Sequence, residues 1–134
     1  MQQQTLTDTD AARAEEMLTA AYELVRTGWC QGAAARDEAG RPVAPVSAFA
    51  RSWSAPGALE RVWARSDQQF AVELDAFQRA NLALATAVGD TPQFWNDANG
   101  RTLREVLDAL AQAVHLVAGP PDGSVPRKAD STPA

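Results

Sequence analysis

Four stretches of this sequence place apolar side chains at steps of three and four residues, the period that lines one face of an α-helix. The stripes of the first, third and last stretches are Ala11, Ala14, Leu18, Ala21 and Val25; Phe70, Leu74, Phe77, Asn81, Leu84 and Val88; and Leu103, Val106, Leu107, Leu110, Val114 and Val117. A one-sided stripe has to be buried against another element. The sequence therefore predicts a mainly α fold, a small bundle of four to five helices.

Local signals give expected limits for three of these helices. The first is expected to begin at Asp8 or Thr9, after a frayed start, and to end at Gly28, a residue typical of helix C-termini. Capping-box patterns, Ser66 to Gln69 and Thr102 to Glu105, predict the starts of the third and the last helix.

The segment between the first and second helices has a different character. Residues 37–40, Asp-Glu-Ala-Gly, have the composition of a turn, and residues 41–43 could return alongside the chain before them. This pattern predicts a short irregular β-hairpin after the first helix. A second helix is expected to open at Pro45 or Ser47, carrying Phe49 and Trp53 on one face, until Pro56-Gly57 interrupts it by a break or a kink.

Composition and charge narrow the class of protein. With 134 residues, 46% hydrophobic and 22% charged, the chain fits one soluble domain, expected over residues 8–118, followed by a disordered tail over 119–134. No apolar run reaches the roughly 18 residues of a membrane span, and the N-terminus lacks the features of a signal peptide. We therefore expect a cytoplasmic protein. The net charge of −5 argues against a nucleic-acid partner.

Few residues offer catalytic or metal-binding chemistry. Cys30 and His115, the only cysteine and the only histidine, could form a thiol–imidazole pair, but a buried thiol and a histidine at the edge of a stripe are the simpler interpretation. Residues 96–100 resemble a calcium loop only weakly, because Trp95 and Val106 would stand at ligand positions. We expect no cofactor and no metal, and the balance is against an enzyme.

Two motifs anchored by tryptophan are the most distinctive local features. Gly28-Trp29-Cys30-Gln31-Gly32 follows the first helix, and the run from Trp95 to Thr102 precedes the last. If these helices are antiparallel, the two junctions can meet and their polar neighbours can line a shared groove, a composition typical of binding surfaces. The candidate binding residues are Trp29, Gln31, Asp37, Trp95, Asn96, Asp97 and Arg101. The alternative is that the tryptophans are core residues and the Trp-Asn-Asp motif only fixes the start of a helix.

These motifs resemble an uncharacterised bacterial and phage family, a domain of unknown function. The similarity rests on Gly-Trp-x-Gln-Gly at residues 28–32, Asp-x-x-Gly at 37–40, Trp53 with Gly-Ala-Leu at 57–59, and Trp-Asn-Asp at 95–97. It covers roughly residues 12–118. The chain departs from the family pattern at Ser54, where cysteine is frequent, and at Pro56, where an aliphatic residue is usual. The resemblance implies no activity.

The expected function is that of a non-enzymatic interaction or regulatory domain that binds a protein partner or a second copy of itself. A homodimer would cover apolar surface that a small core cannot bury. The alternative is a small-molecule-binding protein or weak enzyme with a pocket between the Trp29 and Trp95 junctions. A third hypothesis, regulation through nucleic-acid contact, is disfavoured by the charge.

Overall fold

The computed structural model describes residues 2–66 and 71–118, and it is mainly helical, as predicted. Its elements in chain order are α1 (Gln2–Thr27), β1 (Ala35–Arg36), β2 (Ser52–Trp53), α2 (Ala55–Ala64), α3 (Ala71–Val88), α4 (Pro92–Asn96) and α5 (Leu103–Ala118). Helix α1 packs against α2, α3 and α5, and α3 and α5 pack against each other. The predicted bundle is thus confirmed.

The core lies where these helices meet, and small side chains form much of it. Fully buried alanines on α1, α3 and α5 sit among larger residues; the buried set includes Ala14, Ala21, Ala76, Ala80, Ala113, Met17, Leu18, Leu59, Leu84 and Leu110. Alanine at a helix contact allows the two backbones to approach closely, so the core is dense although few of its side chains are large. In α3 the alanines take the inner face, and Leu74 and Leu82 of the same helix are exposed.

Helix α1 is longer than predicted at its N-terminal end. It begins at Gln2, so residues 2–7 are helical rather than a frayed start. Their Gln, Thr and Leu residues do not prevent helix formation. The prediction omitted them because residues 2–7 do not continue the apolar stripe. The helix ends as expected, because the N–H of Gly28 donates to the carbonyl oxygens of Leu24 and Val25.

The β-hairpin is present, but its pairing differs from the prediction. Ala35 pairs with Trp53 and Arg36 with Ser52 in an antiparallel ladder, while the expected return strand contributes only a bridge between Arg36 and Pro42. The second strand thus comes from a segment that was predicted to be helical.

The helix predicted to open at Pro45 or Ser47 is absent, and residues 44–50 form turns. Two arginines bind the carbonyl groups that a helix would have used internally. Arg61 Nη1 donates to Pro45 O and Ser47 O at 3.0 and 2.8 Å, and Arg51 Nη1 donates to Ala48 O and Ala50 O. The long-range contacts of Arg61, together with the local contacts of Arg51, outweigh the local apolar spacing.

Helix α2 is a new segment rather than the continuation of a kinked one. Ser54 caps it by accepting a hydrogen bond at 3.0 Å from the N–H of Gly57, and Pro56 lies in the first turn, where its missing N–H costs nothing. The capping box predicted for α5 is confirmed, since Thr102 N donates to Glu105 Oε1 at 3.0 Å and Glu105 N to Thr102 Oγ1 at 3.1 Å. The predicted partner of Ser66, Gln69, and the predicted tail 119–134 lie outside the described residues.

Two glycines allow the hairpin to lie directly against the helices. A Cβ atom on Gly28 would stand 2.3 Å from Arg51 O, and one on Gly57 would stand 2.0 Å from Ala34 O. Neither distance is compatible with a side chain, so these positions require glycine for space.

We expect Gly57→Ala to destabilise the protein by about 2 kcal/mol, because the added methyl group collides with the backbone of Ala34. In an open helix the same change would stabilise by about 1 kcal/mol, so the sign of the effect is diagnostic. Urea denaturation followed by tryptophan fluorescence measures it. Ala64→Gly, at an exposed position of the same helix, is the matched control and should cost about 1 kcal/mol. A Gly57→Ala protein as stable as the wild type would contradict the close approach.

Candidate functional site

The two tryptophan motifs meet, and the side chain of Asn96 lies at their centre. The sequence allowed this contact on the condition that the first and last helices are antiparallel. Asn96 belongs to the short helix α4 and is fully buried. Its Oδ1 accepts hydrogen bonds from Trp29 Nε1 at 2.9 Å and from Ala55 N at 3.1 Å. Its Nδ2 donates to Cys30 O at 3.1 Å and to Asp97 Oδ1 at 2.9 Å. One amide thereby joins the Gly-Trp segment, the start of α2 and the Trp-Asn-Asp segment.

Gln31 and Asp97 extend these contacts in both directions. Gln31 Nε2 donates to Asn96 O at 2.9 Å and to Ala98 O at 3.0 Å. Asp97 Oδ1 accepts from Gly32 N at 2.9 Å. We call the set Trp29, Gln31, Gln93, Asn96 and Asp97 the asparagine clamp.

Gln93 is a member of the clamp that sequence reasoning missed. Its Nε2 donates to both carboxylate oxygens of Asp97, at 3.0 and 3.2 Å, and its Oε1 accepts from Ser54 Oγ at 2.8 Å. The available signal was its position four residues before Asp97, a spacing that brings two side chains together on a helix. Because the short helix α4 was not predicted, the spacing between Gln93 and Asp97 could not be interpreted as a contact along a helix.

Trp95 and Arg101 form a separate pair beside the clamp. The Arg101 guanidinium lies 3.9 Å from the centre of the Trp95 ring, and its Nε donates to Trp95 O at 2.9 Å. This cation–π contact closes the loop between α4 and α5, where Gly100 adopts a positive φ of 83°. Arg101 therefore holds its own loop together.

Asp37, also a candidate binding residue, makes its hydrogen bonds in the hairpin turn and not in the asparagine clamp. It sits in the hairpin turn, where its Oδ1 accepts from Ala39 N and Arg41 N at 3.0 and 2.8 Å and its Oδ2 from Arg41 Nε at 3.0 Å. The backbone N–H of Arg41 is the main cause that lowers the pKa of Asp37.

The other residues considered for chemistry occupy unremarkable positions. Cys30 is buried, and burial raises the pKa of its thiol, the opposite of what a nucleophile needs. His115 is exposed on α5, and no hydrogen bond joins it to Cys30 within residues 2–66 and 71–118. Asn81, the polar member of the predicted α3 stripe, donates to Phe77 O of its own helix at 2.9 Å. Among the described residues, no three His, Cys, Asp or Glu side chains are grouped so as to hold a metal ion.

All four tryptophans contact the core. Trp53 is buried, and its Nε1 donates to Pro45 O at 3.1 Å. Trp63 stacks on Phe77 with ring centres 4.7 Å apart, which ties α2 to α3. Trp29 and Trp95 are half-buried against the core cluster. This geometry favours the alternative in which these residues are structural.

The fold and the clamp define a small helical domain in which the two tryptophan junctions are joined by a buried carboxamide. Residues 9–116 match the protein family described as "Family of unknown function (DUF6197)", and the chain belongs to this family. No curated protein and no solved structure matches the chain. In the part of the chain that the structure describes, none of the helices has the length and hydropathy of a membrane span.

We expect Asn96→Ala to destabilise the protein by about 3 kcal/mol, because it leaves Trp29 Nε1–H, Ala55 N–H and Cys30 C=O without their partner. The midpoint of urea denaturation, at unchanged slope, measures the loss. Asn99→Ala, at an exposed position of the same loop, is the control and should change stability little. Equal stability of the two variants would show that the clamp contributes little.

The pH dependence of stability tests Asp97. Burial raises the pKa of its carboxyl group, but hydrogen bonds from Gly32 N–H and the amides of Asn96 and Gln93 together lower it below the usual value. A lowered pKa in the folded state means that the stabilisation is complete above the unfolded value, about 3.9, and is lost as the pH falls through the folded value.

We therefore expect wild-type protein to lose more stability than Asp97→Asn as the pH is lowered below about 4. Asp37 contributes in the same direction, but it is present in both proteins, so their difference reports on Asp97. Thermal denaturation at a series of pH values measures it. Asp108→Asn, at an exposed site on α5, should keep the wild-type profile. Parallel profiles for wild type and Asp97→Asn would contradict the role given to this carboxylate.

Proposed function

We propose that this chain is a non-enzymatic interaction domain that binds another protein through a groove beside its hairpin. This hairpin groove has a volume of about 470 Å³ and is lined by Asp37, Glu38, Ala39, Arg41, Val43, Phe49 and Arg51. The observation that carries the proposal is that Phe49, at this groove, is 72% exposed. An aromatic side chain exposed to that extent beside a concavity is typical of a protein-binding surface.

The segment that presents Phe49 is held by specific hydrogen bonds. Phe49 N donates to Ser47 Oγ at 3.0 Å, and Arg51 Nη1 donates to Ala48 O and Ala50 O at 3.1 and 2.9 Å. A side chain on a fixed backbone loses less conformational entropy on binding than one on a free loop. This preorganisation favours a recognition role for Phe49.

The asparagine clamp is connected through Arg36 to the turn that lines part of the hairpin groove. Gln31, a clamp residue, accepts at its carbonyl oxygen from Arg36 Nε and Nη2 at 3.1 and 2.9 Å, and Arg36 Nη1 donates to Gly40 O at 2.8 Å. The turn that carries Asp37 is thereby tied to the clamp. In this proposal the predicted site residues position a binding surface, and Asp37 also lines it.

The chemistry of the hairpin groove indicates what kind of segment it binds. Val43 and Phe49 offer apolar surface, while Asp37 is already paired with Arg41 at 3.0 Å. Within the described residues Arg51 has no carboxylate partner. A partner segment with an apolar anchor next to an acidic residue would complement both features.

Two further observations favour a protein partner over a small-molecule substrate or nucleic acid. The polar groups between the Trp29 and Trp95 junctions are hydrogen-bonded to one another, so a small molecule would have to displace those contacts to bind there. The net charge of −5 disfavours nucleic acid as the partner. A cytoplasmic location and a bacterial or phage origin remain part of the proposal.

Photo-crosslinking from position 49 tests this function. Phe49 is replaced by a photoreactive phenylalanine derivative in the native host, and covalent adducts are resolved by mass. We expect a discrete adduct that is lost when Arg51→Glu is added, because the acidic partner residue is then repelled and the carbonyl groups of Ala48 and Ala50 lose their donor. An adduct of twice the chain's mass would identify a second copy as the partner.

Leu82 is the matched control position, since it is 68% exposed on α3, away from the groove. The same reagent at position 82 should not give the adduct seen from position 49. Identical adducts from both positions, or none from position 49, would overturn the proposal.

A further inference from the structure

A second groove, between α1 and α2, combines apolar walls with two arginines. It has a volume of about 400 Å³, and its apolar part includes Ala20, Leu24 and Val62. Arg61 and Arg65 line the same groove. They stand four residues apart, so they lie on one face of the helix end.

These arginines lack a counter-charge. Like charges four residues apart on a helix repel each other, and no carboxylate among the described residues forms an ion pair with Arg61, Arg65 or the neighbouring Arg51. This cluster of cations is unexpected in a chain whose net charge is −5.

Structural roles account for part of this arrangement. Arg61 Nη1 holds the carbonyl groups of Pro45 and Ser47, and its guanidinium lies 5.2 Å from the centre of the Trp53 ring. A cation at Arg65 suits the negative end of the α2 dipole. Neither role supplies an acceptor for Arg61 Nε, which is buried and makes no hydrogen bond within residues 2–66 and 71–118. Burial lowers the pKa of Arg61, and the charges of Arg65 and Arg51 lower it further.

The groove also contains one acid, Glu23, which could substitute for a bound anion. Its Oε1 is instead paired with Arg26 of the same helix, at 2.9 Å from Nε and 2.8 Å from Nη2. Its charge is therefore largely compensated, and Arg61 and Arg65 remain available.

We propose that the groove between α1 and α2 binds a small amphipathic carboxylate, with its anionic head on Arg61 and Arg65 and its aliphatic chain along Leu24 and Val62. Two guanidinium groups without a carboxylate partner among the described residues attract a carboxylate, and charge-assisted hydrogen bonds to it are among the strong ones. The apolar walls bury a short aliphatic chain, and the volume lies within the usual range of small-molecule sites. This site is separate from the hairpin groove and does not depend on the function proposed there.

Titration of the whole chain with octanoate, followed by amide chemical shifts, tests the site. We expect saturable shifts at Val62 and Arg65, and weaker binding of acetate, which lacks the chain, and of octanol, which lacks the charge. Arg65→Gln should weaken octanoate binding about tenfold, because it removes one of the two charge-assisted contacts. Arg65 is exposed, and its side chain makes no hydrogen bond or ion pair with the residues that the structure describes, so this variant should fold normally.

Two further variants separate the proposal from its alternatives. Arg104→Gln, which removes an exposed cation on α5, should leave octanoate binding unchanged. Ala20→Phe should weaken binding without changing any charge, because the ring fills the groove. Absence of saturable shifts, equal affinity for acetate and octanoate, or unchanged binding in Arg65→Gln would each overturn the proposal.

Discussion

The arrangement of the hairpin and α4 around the bundle depends on the complete hydrogen bonding of one buried amide. Asn96 accepts two hydrogen bonds at its oxygen and donates two from its nitrogen. These four hydrogen bonds use both lone pairs of the oxygen and both N–H groups of the amide. Glutamine has the same two acceptor and two donor positions but is one methylene longer, so asparagine alone offers them at this length. Aspartate has no donor when ionised, and leucine would leave the indole N–H of Trp29 without an acceptor. The hydrogen bonds of Asn96 therefore give the Trp-Asn-Asp motif a structural role.

A steric constraint accompanies this polar one. The clamp forms only if the hairpin reaches the helices closely, and the absence of side chains at Gly28 and Gly57 permits contact distances that any Cβ atom would prevent. The buried alanines of the bundle act in the same way between α1, α3 and α5. Small residues thus set the spacing, and the amide then fixes the register of the segments that this spacing brings together.

The parts of the fold that local patterns determine could be predicted from the sequence. The apolar period gave α1, α3 and α5, and the pattern from Thr102 to Glu105 gave the start of α5. The sequence allowed the two tryptophan junctions to meet but did not require it. The predicted second helix was wrong because Arg61 binds the carbonyl groups of Pro45 and Ser47, a long-range interaction that periodicity does not contain. Gln93 was missed for the same reason, since its partners come from α2 and from an unpredicted helix.

The polar groups of this domain fall into two kinds: the clamp side chains, which are hydrogen-bonded within the protein, and three arginines without a counter-charge among the described residues. The clamp residues form hydrogen bonds within the clamp and with adjacent backbone groups. Arg51, Arg61 and Arg65, in contrast, form no ion pair with a carboxylate of the described residues. Two of these arginines hold the segment 44–50, which carries Phe49. Arg61 also lines the groove between α1 and α2, so one side chain belongs both to the support of the segment that carries Phe49 and to the wall of the second groove.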